Sequence, residues 1–148
     1  MSDIIVQKFG GTSVGSDERI SAVAQIIKNA KKDNQVIVVV SAMSGETNRL
    51  ISLAKSFGDN PDRREFDALI STGEKVSASL LAMALNSIGV KAKSFSASQI
   101  SMKTTGHHSK AKIIDVDGEK ILATLNDDIV PIITGFQGVT ESGDVTTL

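Results

Sequence analysis

The sequence predicts a single α/β domain in which a mainly parallel sheet is sandwiched between helices. Strand-like apolar runs alternate with segments of helical periodicity along almost all of the 148 residues. Residues 35–40 read QVIVVV, and such continuous Val and Ile is typical of a strand covered on both faces. Aromatic residues are limited to five Phe, without Trp or Tyr, so the core must be built from aliphatic side chains.

The first half of the chain opens with an apolar strand at residues 4–6. A helix is predicted over residues 17–32, with one face formed by Ile20, Val23, Ile26 or Ile27, and Ala30. After the strand at 35–40, a second helix is predicted over residues 47–57, where helical spacing connects Leu50, Leu53, Ala54 and Phe57. Residues 58–62, GDNPD, end this helix because they combine Gly and Pro with turn-forming Asp and Asn.

The second half continues the alternation of helices and strands. A short helix is predicted over residues 63–70 and a longer one over 74–88, with the inward residues Val76, Leu80, Leu81, Ala84, Leu85 and Ile88. Next we predict a strand near residues 90–95, a polar loop at 96–110, a strand at 111–116, a helix at 119–126 and a strand at 129–133. A hairpin that turns at Ser142 and Gly143 completes the chain.

Composition excludes several classes of function. The formal net charge is -1 and the pI is near 6.1, which gives no electrostatic basis for binding nucleic acid or an anionic membrane. The chain has no Cys, no signal-peptide pattern and no apolar run near the roughly 18 residues that span a bilayer. We therefore predict a soluble, cytoplasmic protein whose partners are small molecules or proteins.

A glycine pair with a nearby lysine follows the first strand. Gly10 and Gly11 lack a Cβ, so an anion can approach their backbone amides, and Lys8 adds a mobile positive charge. The pattern predicts a phosphate contact, with a plain tight turn as the alternative. It is not a Walker loop, because Ser16 stands where the lysine after the second glycine is required, and it contains no dinucleotide-binding glycine pattern.

Four segments carry a resemblance to a known family. They read KFGGTS at residues 8–13, SAMSGETN at 41–48, STGEKVS at 71–77 and GFQG at 135–138. Together, and in this order, they resemble the aspartate kinases of the amino acid kinase family. The resemblance implies the amino acid kinase fold, with an active site along the carboxyl ends of the strands, where open α/β sheets bind ligands.

The resemblance also implies an activity and roles for single residues. Aspartate kinases transfer the γ-phosphoryl group of ATP, carried with Mg²⁺, to the side-chain carboxylate of L-aspartate, giving 4-phospho-L-aspartate for the synthesis of lysine, threonine and methionine. By resemblance Lys8 is the catalytic residue, and ATP phosphates are bound by Lys8, Phe9, Gly10, Gly11 and Ser41. Thr47 and Glu74 bind aspartate, with Glu74 receiving its α-ammonium group. No metal ligand is assigned to the chain itself.

Structural alternatives compete with these roles. Lys8 can be a solvated lysine at a strand end, and Ser41 an ordinary turn residue. Thr47 is a good N-cap for the helix that follows, and Glu74 is an acid favoured at the start of a helix. His108 falls where the family has a basic loop near the active site, which leaves a weak substrate-side role open.

The family continues beyond the segment that matches residues 144–148. There it has a second, nucleotide-binding half of the kinase domain and paired regulatory ACT domains. The resemblance therefore implies that residues 1–148 are the N-terminal portion of a catalytic domain, with an incomplete fold and a homo-oligomeric full-length parent. Two alternatives remain: a catalytically silent fragment that serves as an association or folding unit, and an amino acid kinase for another carboxylate.

Overall fold

The computed structural model describes residues 2–148, and its regular elements are eight strands and five α-helices. The strands are β1 Asp3–Phe9, β2 Asn34–Val40, β3 Ala92–Phe95, β4 Met102–Thr104, β5 Ile113–Val116, β6 Val130–Thr134, β7 Gln137–Val139 and β8 Val145–Thr147. The helices are α1 Asp17–Ala30, α2 Glu46–Lys55, α3 Arg63–Ile70, α4 Thr72–Ser87 and α5 Glu119–Asn126. A short 3-10 helix covers Ser98–Ile100.

The central sheet has the strand order β1-β2-β6-β3, and each neighbouring pair is parallel. On one face, Val38 and Ile132 belong to a core formed with α1 and α4. On the other face, Ile133 packs with Ile100 of the 3-10 helix and Ile121 of α5. Because helices cover both faces, the strands can be almost entirely aliphatic. The predicted α/β fold, with a mainly parallel sheet between helices, is confirmed.

A second, smaller sheet has the order β5-β4-β7-β8 and is mainly antiparallel. The predicted hairpin is confirmed, since β7 and β8 pair across a turn where Gly143 has a φ of 89°. The prediction of a continuous loop over residues 96–110 is wrong, because β4 and the 3-10 helix lie within it. Only three residues form β4 and its partner β7 is distant in sequence, so no local periodicity marks this strand.

From Leu81 onward the buried face of α4 agrees with the prediction, but before it the two differ. Val76 and Leu80, predicted to face inward, are 48% and 38% exposed, whereas Glu74 and Ser77 are buried beside Leu81. The first turns of α4 lie against the carboxyl ends of the central strands. Polar side chains can be buried there because strand ends and the following turns offer backbone groups for hydrogen bonds.

The first two helices are closer to prediction. In α1, Ile27 is buried and Ile26 is exposed, which resolves the alternative left by the sequence pattern. In α2, Leu50 is buried as predicted, but Leu53 and Phe57 are exposed. Phe57 lies outside the core because α2 ends before reaching it.

Among the described residues, the helical stretch Arg63–Ser87 is long and apolar enough to cross a membrane by length and composition alone. Half of its most apolar window is buried inside the domain, where α4 packs on the central sheet. The same length and composition are found in core helices of soluble proteins. The absence of a membrane partner stays a prediction.

The edge strand β1 leaves an apolar surface open. Ile4 and Val6 are 49% and 63% exposed. They lie on the α5 face of the sheet, because Val6 is opposite Ile37, which packs in the cluster on that face. Of the described residues, none pairs with the outer edge of β1.

Candidate active site

The carboxyl ends of β1, β2 and β6 surround a cavity of about 280 Å³. Lys8 lies near the end of β1, Ser41 follows β2, and Gly135 follows β6. The first turn of α4 adds Glu74, and the full lining is Lys8, Ser41, Ala42, Thr47, Ile70, Glu74, Gly135 and Phe136. Four residues predicted to act in the site therefore share one cavity: Lys8, Ser41, Thr47 and Glu74.

The Glu74 carboxyl group is the most unusual feature of this cavity. Its residue is 1% exposed, and its Oε2 accepts a hydrogen bond of 2.9 Å from the backbone N–H of Phe136. Its Oε1 is buried without a hydrogen-bond partner among residues 2–148. Burial raises the pKa of Glu74 from 4.5 to about 7, although the amide of Phe136 and the groups of Gln137 act to lower it. Glu74 is thus a buried acid that lacks a donor on one oxygen.

Lys8 supplies the positive charge of the cavity. Its side chain is exposed and forms no salt bridge with any acid in the described part of the chain. Ser41 is fixed at its backbone, since its N–H donates to Phe9 O at 3.1 Å and its carbonyl accepts from Ser77 Oγ at 2.6 Å. The ammonium group is therefore free to meet an anion beside a rigid turn.

The loop after β1 separates the glycine pair from the helix, which begins at the predicted residue. The helix α1 begins at Asp17 with Ser16 as its N-cap, so its first turn does not follow Gly10 and Gly11 directly. A Cβ on Gly11 would lie 2.8 Å from the carbonyl oxygen of Ala42, whereas one on Gly10 would meet no atom within 4 Å. The second glycine allows this loop to pack closely against the turn after β2.

The side chain of Phe9 packs with the core on the α1 and α4 face, and Phe9 does not line the cavity. Any contact of Phe9 with a phosphate would therefore involve its backbone. The predicted phosphate roles of Phe9, Gly10 and Gly11 stay predictions.

We expect Gly11→Ala to destabilise the domain by about 1 to 3 kcal/mol, since the new Cβ must displace backbone atoms of the neighbouring turn. Gly10→Ala is the matched control, because its Cβ would enter open space at a φ that L residues adopt. Urea denaturation of both variants measures the difference. Equal midpoints for Gly11→Ala and Gly10→Ala would contradict the close packing.

Thr47 is not the N-cap of α2, so that alternative is wrong. The cap is Gly45, which has a φ of 82° and makes no side-chain cap, and the helix begins at Glu46. Thr47 is therefore inside the first turn, half-buried, and its side chain lines the cavity. Its hydroxyl makes no hydrogen bond within residues 2–148 and is available to a ligand.

Sequence reasoning missed two groups that build the site and one buried acid that does not line the cavity. Ser77 holds the Ser41 carbonyl, the Phe136 amide holds Glu74, and Asp67 is a fully buried acid on α3. A signal was available for Asp67, because it stands on the same buried helical stripe as Ile70. His108 does not line the cavity, since its Nδ1 lies 3.0 Å from Asp67 Oδ2.

The sequence profile of the amino acid kinase family matches residues 3–147. The chain belongs to this family. It is 51% identical over 146 residues to an aspartate kinase of Pseudomonas putida, covering 98% of this chain and 36% of that relative. The match to family members named aspartate kinase confirms the predicted resemblance.

Solved structures of amino acid kinases have the same fold as this chain. The aspartate kinase from Synechocystis superposes with a TM-score of 0.80 at 42% identity, covering 99% of this chain and 24% of that one. Aspartokinase III of E. coli, in complex with aspartate and ADP, shares the fold with a TM-score of 0.87 at 23% identity, covering 99% of this chain and 43% of that one. This chain thus spans about a third of the length of the Pseudomonas relative and less than half of these two structures.

Proposed function

We propose that this chain is the N-terminal portion of the catalytic domain of an aspartate kinase. The enzyme transfers the γ-phosphoryl group of MgATP to the side-chain carboxylate of L-aspartate, giving 4-phospho-L-aspartate for the synthesis of lysine, threonine and methionine. Relatives at about half identity are named aspartate kinase, and the E. coli relative of the same fold is in complex with aspartate and ADP. Both substrates are cytoplasmic metabolites, so we place the enzyme in the cytoplasm.

The observation that carries the proposal is the unpartnered Oε1 of Glu74. A buried carboxylate oxygen without a donor is costly, and an ammonium group would satisfy both its charge and its hydrogen bond. The same cavity holds Lys8, which repels ammonium groups and attracts anions. L-Aspartate matches these two charges. Its ammonium group would meet Glu74, and its side-chain carboxylate would face the phosphate beside Lys8.

In the proposed reaction, one oxygen of the aspartate side chain forms a bond to the γ-phosphorus as the bond from that phosphorus to the bridging oxygen of ATP breaks, releasing ADP. Both reactants are anions, so the chain must offset their repulsion and hold the two oxygens in line. A unit charge such as Lys8 about 4 Å from the phosphoryl group contributes roughly 4 kcal/mol at an effective dielectric constant near 20. Thr47 and Ser41 orient the reacting groups, with amides of Phe9, Gly10 and Gly11 on the phosphates.

The residues of this cavity fit phosphate oxygens better than a divalent cation. An ammonium and hydroxyls are donors, and within residues 2–148 no three His, Cys, Asp or Glu side chains cluster as a metal site. In the proposal, Mg²⁺ arrives bound to the nucleotide, where it neutralises phosphate charge. We assign no ligand of this chain to it.

We further propose that the nucleotide-binding half and the regulatory ACT domains belong to additional polypeptide of a homo-oligomeric full-length enzyme. The chain covers 36% of the Pseudomonas relative. The open edge of β1, with its exposed Ile4 and Val6, offers a surface on which a larger sheet can continue.

A hydroxylamine assay tests the proposed function. We expect the full-length protein, supplied with MgATP and L-aspartate, to form an acyl phosphate that hydroxylamine converts to aspartyl hydroxamate. L-Glutamate, which is one methylene longer, serves as the matched substrate and should react far more slowly. Hydroxamate from L-glutamate but not from L-aspartate would show an amino acid kinase for another carboxylate.

The same open edge supports one other function. A silent fragment that only associates or assists folding would use the exposed β1 surface, not the cavity. A full-length protein that formed no hydroxamate with either substrate, together with a defined oligomer of the 148-residue chain in sedimentation, would favour this alternative.

A further inference from the structure

The buried carboxylate of Asp67 joins three separate parts of the chain. Its Oδ2 accepts from Ser109 N at 2.8 Å, Thr147 N at 3.0 Å and His108 Nδ1 at 3.0 Å. Its Oδ1 accepts from Thr147 Oγ1 at 2.7 Å, Ser109 Oγ at 3.1 Å and Ser109 N at 3.1 Å. A carboxylate offers about four lone-pair sites, so Asp67 is fully used as an acceptor.

These contacts keep the carboxylate ionised inside the protein. Burial would raise the pKa of Asp67, but the donors of Ser109, Thr147 and His108 hold it below its ordinary value. Asp144, which pairs with Arg64 at the surface, lies close to His108. Asp67 thus binds α3 to the 105–112 loop and to β8 through directional bonds.

The bonds of Asp67 continue to Glu74 through one strand end. Thr147 is bonded to Asp67, and the next residue, Leu148, donates its N–H to Phe136 O at 3.0 Å. Phe136 in turn donates its own N–H to Glu74 Oε2. Asp67 lies on α3 and Glu74 on α4. The two carboxylates therefore accept hydrogen bonds from β8 and from the β6–β7 turn, respectively.

We propose that Asp67 is a positioning residue: it holds β8 and the β6–β7 turn so that the Phe136 amide stays on Glu74 Oε2 and Oε1 remains free for a cationic group of the ligand. The significance for substrate binding rests on the proposed function. The positioning itself is a property of residues 2–148 and can be measured without substrate.

The test is the titration of Glu74 in the protein labelled with ¹³C at its Glu side chains. Asp67→Asn keeps the shape, but its NH₂ group cannot accept from the donors that meet Oδ2. If Asp67 acts by positioning, the Phe136 amide moves off Glu74 and the pKa of Glu74 rises by about one unit. If Asp67 acted only through its charge, removing that charge would lower the pKa of Glu74, and a purely stabilising role would leave it unchanged. Either of these results overturns the proposal.

Two further variants keep the experiment decisive. Asp144→Asn is the matched control, because its exposed ion pair with Arg64 also joins α3 to the β7–β8 hairpin, and it should leave the Glu74 titration unchanged within a few tenths of a unit. Thr147→Val removes one bond to Asp67 but no charge, so it serves if Asp67→Asn fails to fold. It should raise the pKa of Glu74 by a smaller amount than Asp67→Asn does, and an unchanged pKa would contradict the proposal.

Lys8 is the other charged residue that lines the cavity, and it is retained in every variant.

Failure of this inference and failure of the proposed function can be told apart. An upward shift in Asp67→Asn, with no hydroxamate from the full-length protein, would uphold positioning and reject the kinase. Hydroxamate formation with an unchanged Glu74 titration would do the reverse.

Discussion

Replacing Lys8 by Ala in the full-length protein should lower kcat on the order of a hundredfold or more, with a much smaller change in the KM for ATP. An ammonium group that meets charge growing on the transferred phosphoryl group stabilises the transition state more than the bound nucleotide. The side chain is exposed beside a rigid turn, so its loss should leave the domain folded. Steady-state kinetics over both substrates measure the two constants separately.

Two further substitutions sharpen the interpretation of Lys8. Lys8→Arg should restore little activity, because a planar guanidinium does not replace a compact charge beside a tight glycine loop. Lys32→Ala, at an exposed lysine beyond the end of α1, is the control and should behave as the unmodified enzyme. If Lys8→Ala raised only the KM for ATP, Lys8 would be an anchor in the ground state and its catalytic role would be wrong.

Glu74→Gln should weaken the binding of aspartate, measured as its KM, roughly tenfold to a hundredfold. The KM for ATP should be nearly unchanged. The substitution keeps the shape of the side chain but removes the charge opposite the proposed ammonium, a charge-assisted bond of about 1.5 to 3 kcal/mol. Glu18→Gln changes an exposed acid in the first turn of α1 and is the matched control. An unchanged KM for aspartate in Glu74→Gln would refute the assignment.

The raised pKa of Glu74 also affects the stability of the folded domain: ionised Glu74 favours ligand binding but disfavours folding. The folded state binds a proton on Glu74 up to a pH of about 7, whereas the unfolded chain releases it near 4.5. Glu74 therefore lowers stability as pH rises through this window, by an amount on the order of 3 kcal/mol. Glu74→Gln should remove that pH dependence and stabilise the domain above pH 7. Denaturation at pH 5 and pH 8 measures the effect, and a ligand ammonium should bind more tightly as Glu74 ionises.

Most of the central fold could be predicted from local pattern. Continuous Val and Ile mark β2 because a strand covered on both faces needs them throughout, and α3 begins and ends where its periodicity does. The small sheet was not predictable in the same way. Its strand β4 is three residues long and pairs with β5 in an irregular register and with the distant β7, so nothing in residues 96–110 distinguishes it from a loop.

The candidate site was likewise predicted in part: the residues that share the cavity were predicted, but the burial of polar side chains on α4 was not. Lys8, Ser41, Thr47 and Glu74 share a cavity because parallel strands end at one edge, a rule that needs only the order of elements. The face of α4 before Leu81 was predicted wrongly because apolar periodicity assigns polar residues to solvent, whereas Glu74 is buried by a contact with Phe136 from a distant turn. The spacing of residues within a helix does not predict a contact with a residue so distant in sequence.

The position of β6 in the middle of the central sheet governs the order of assembly during synthesis. β3 pairs only with β6 in that sheet, so it is synthesised before its partner strand. β1 and β2 can meet early, but the sheet cannot close until residues 130–134 enter between β2 and β3. Until then a nascent chain exposes unpaired aliphatic edges, the state that chaperones recognise. Residues 130–134 are therefore the last strand in sequence that the central sheet requires.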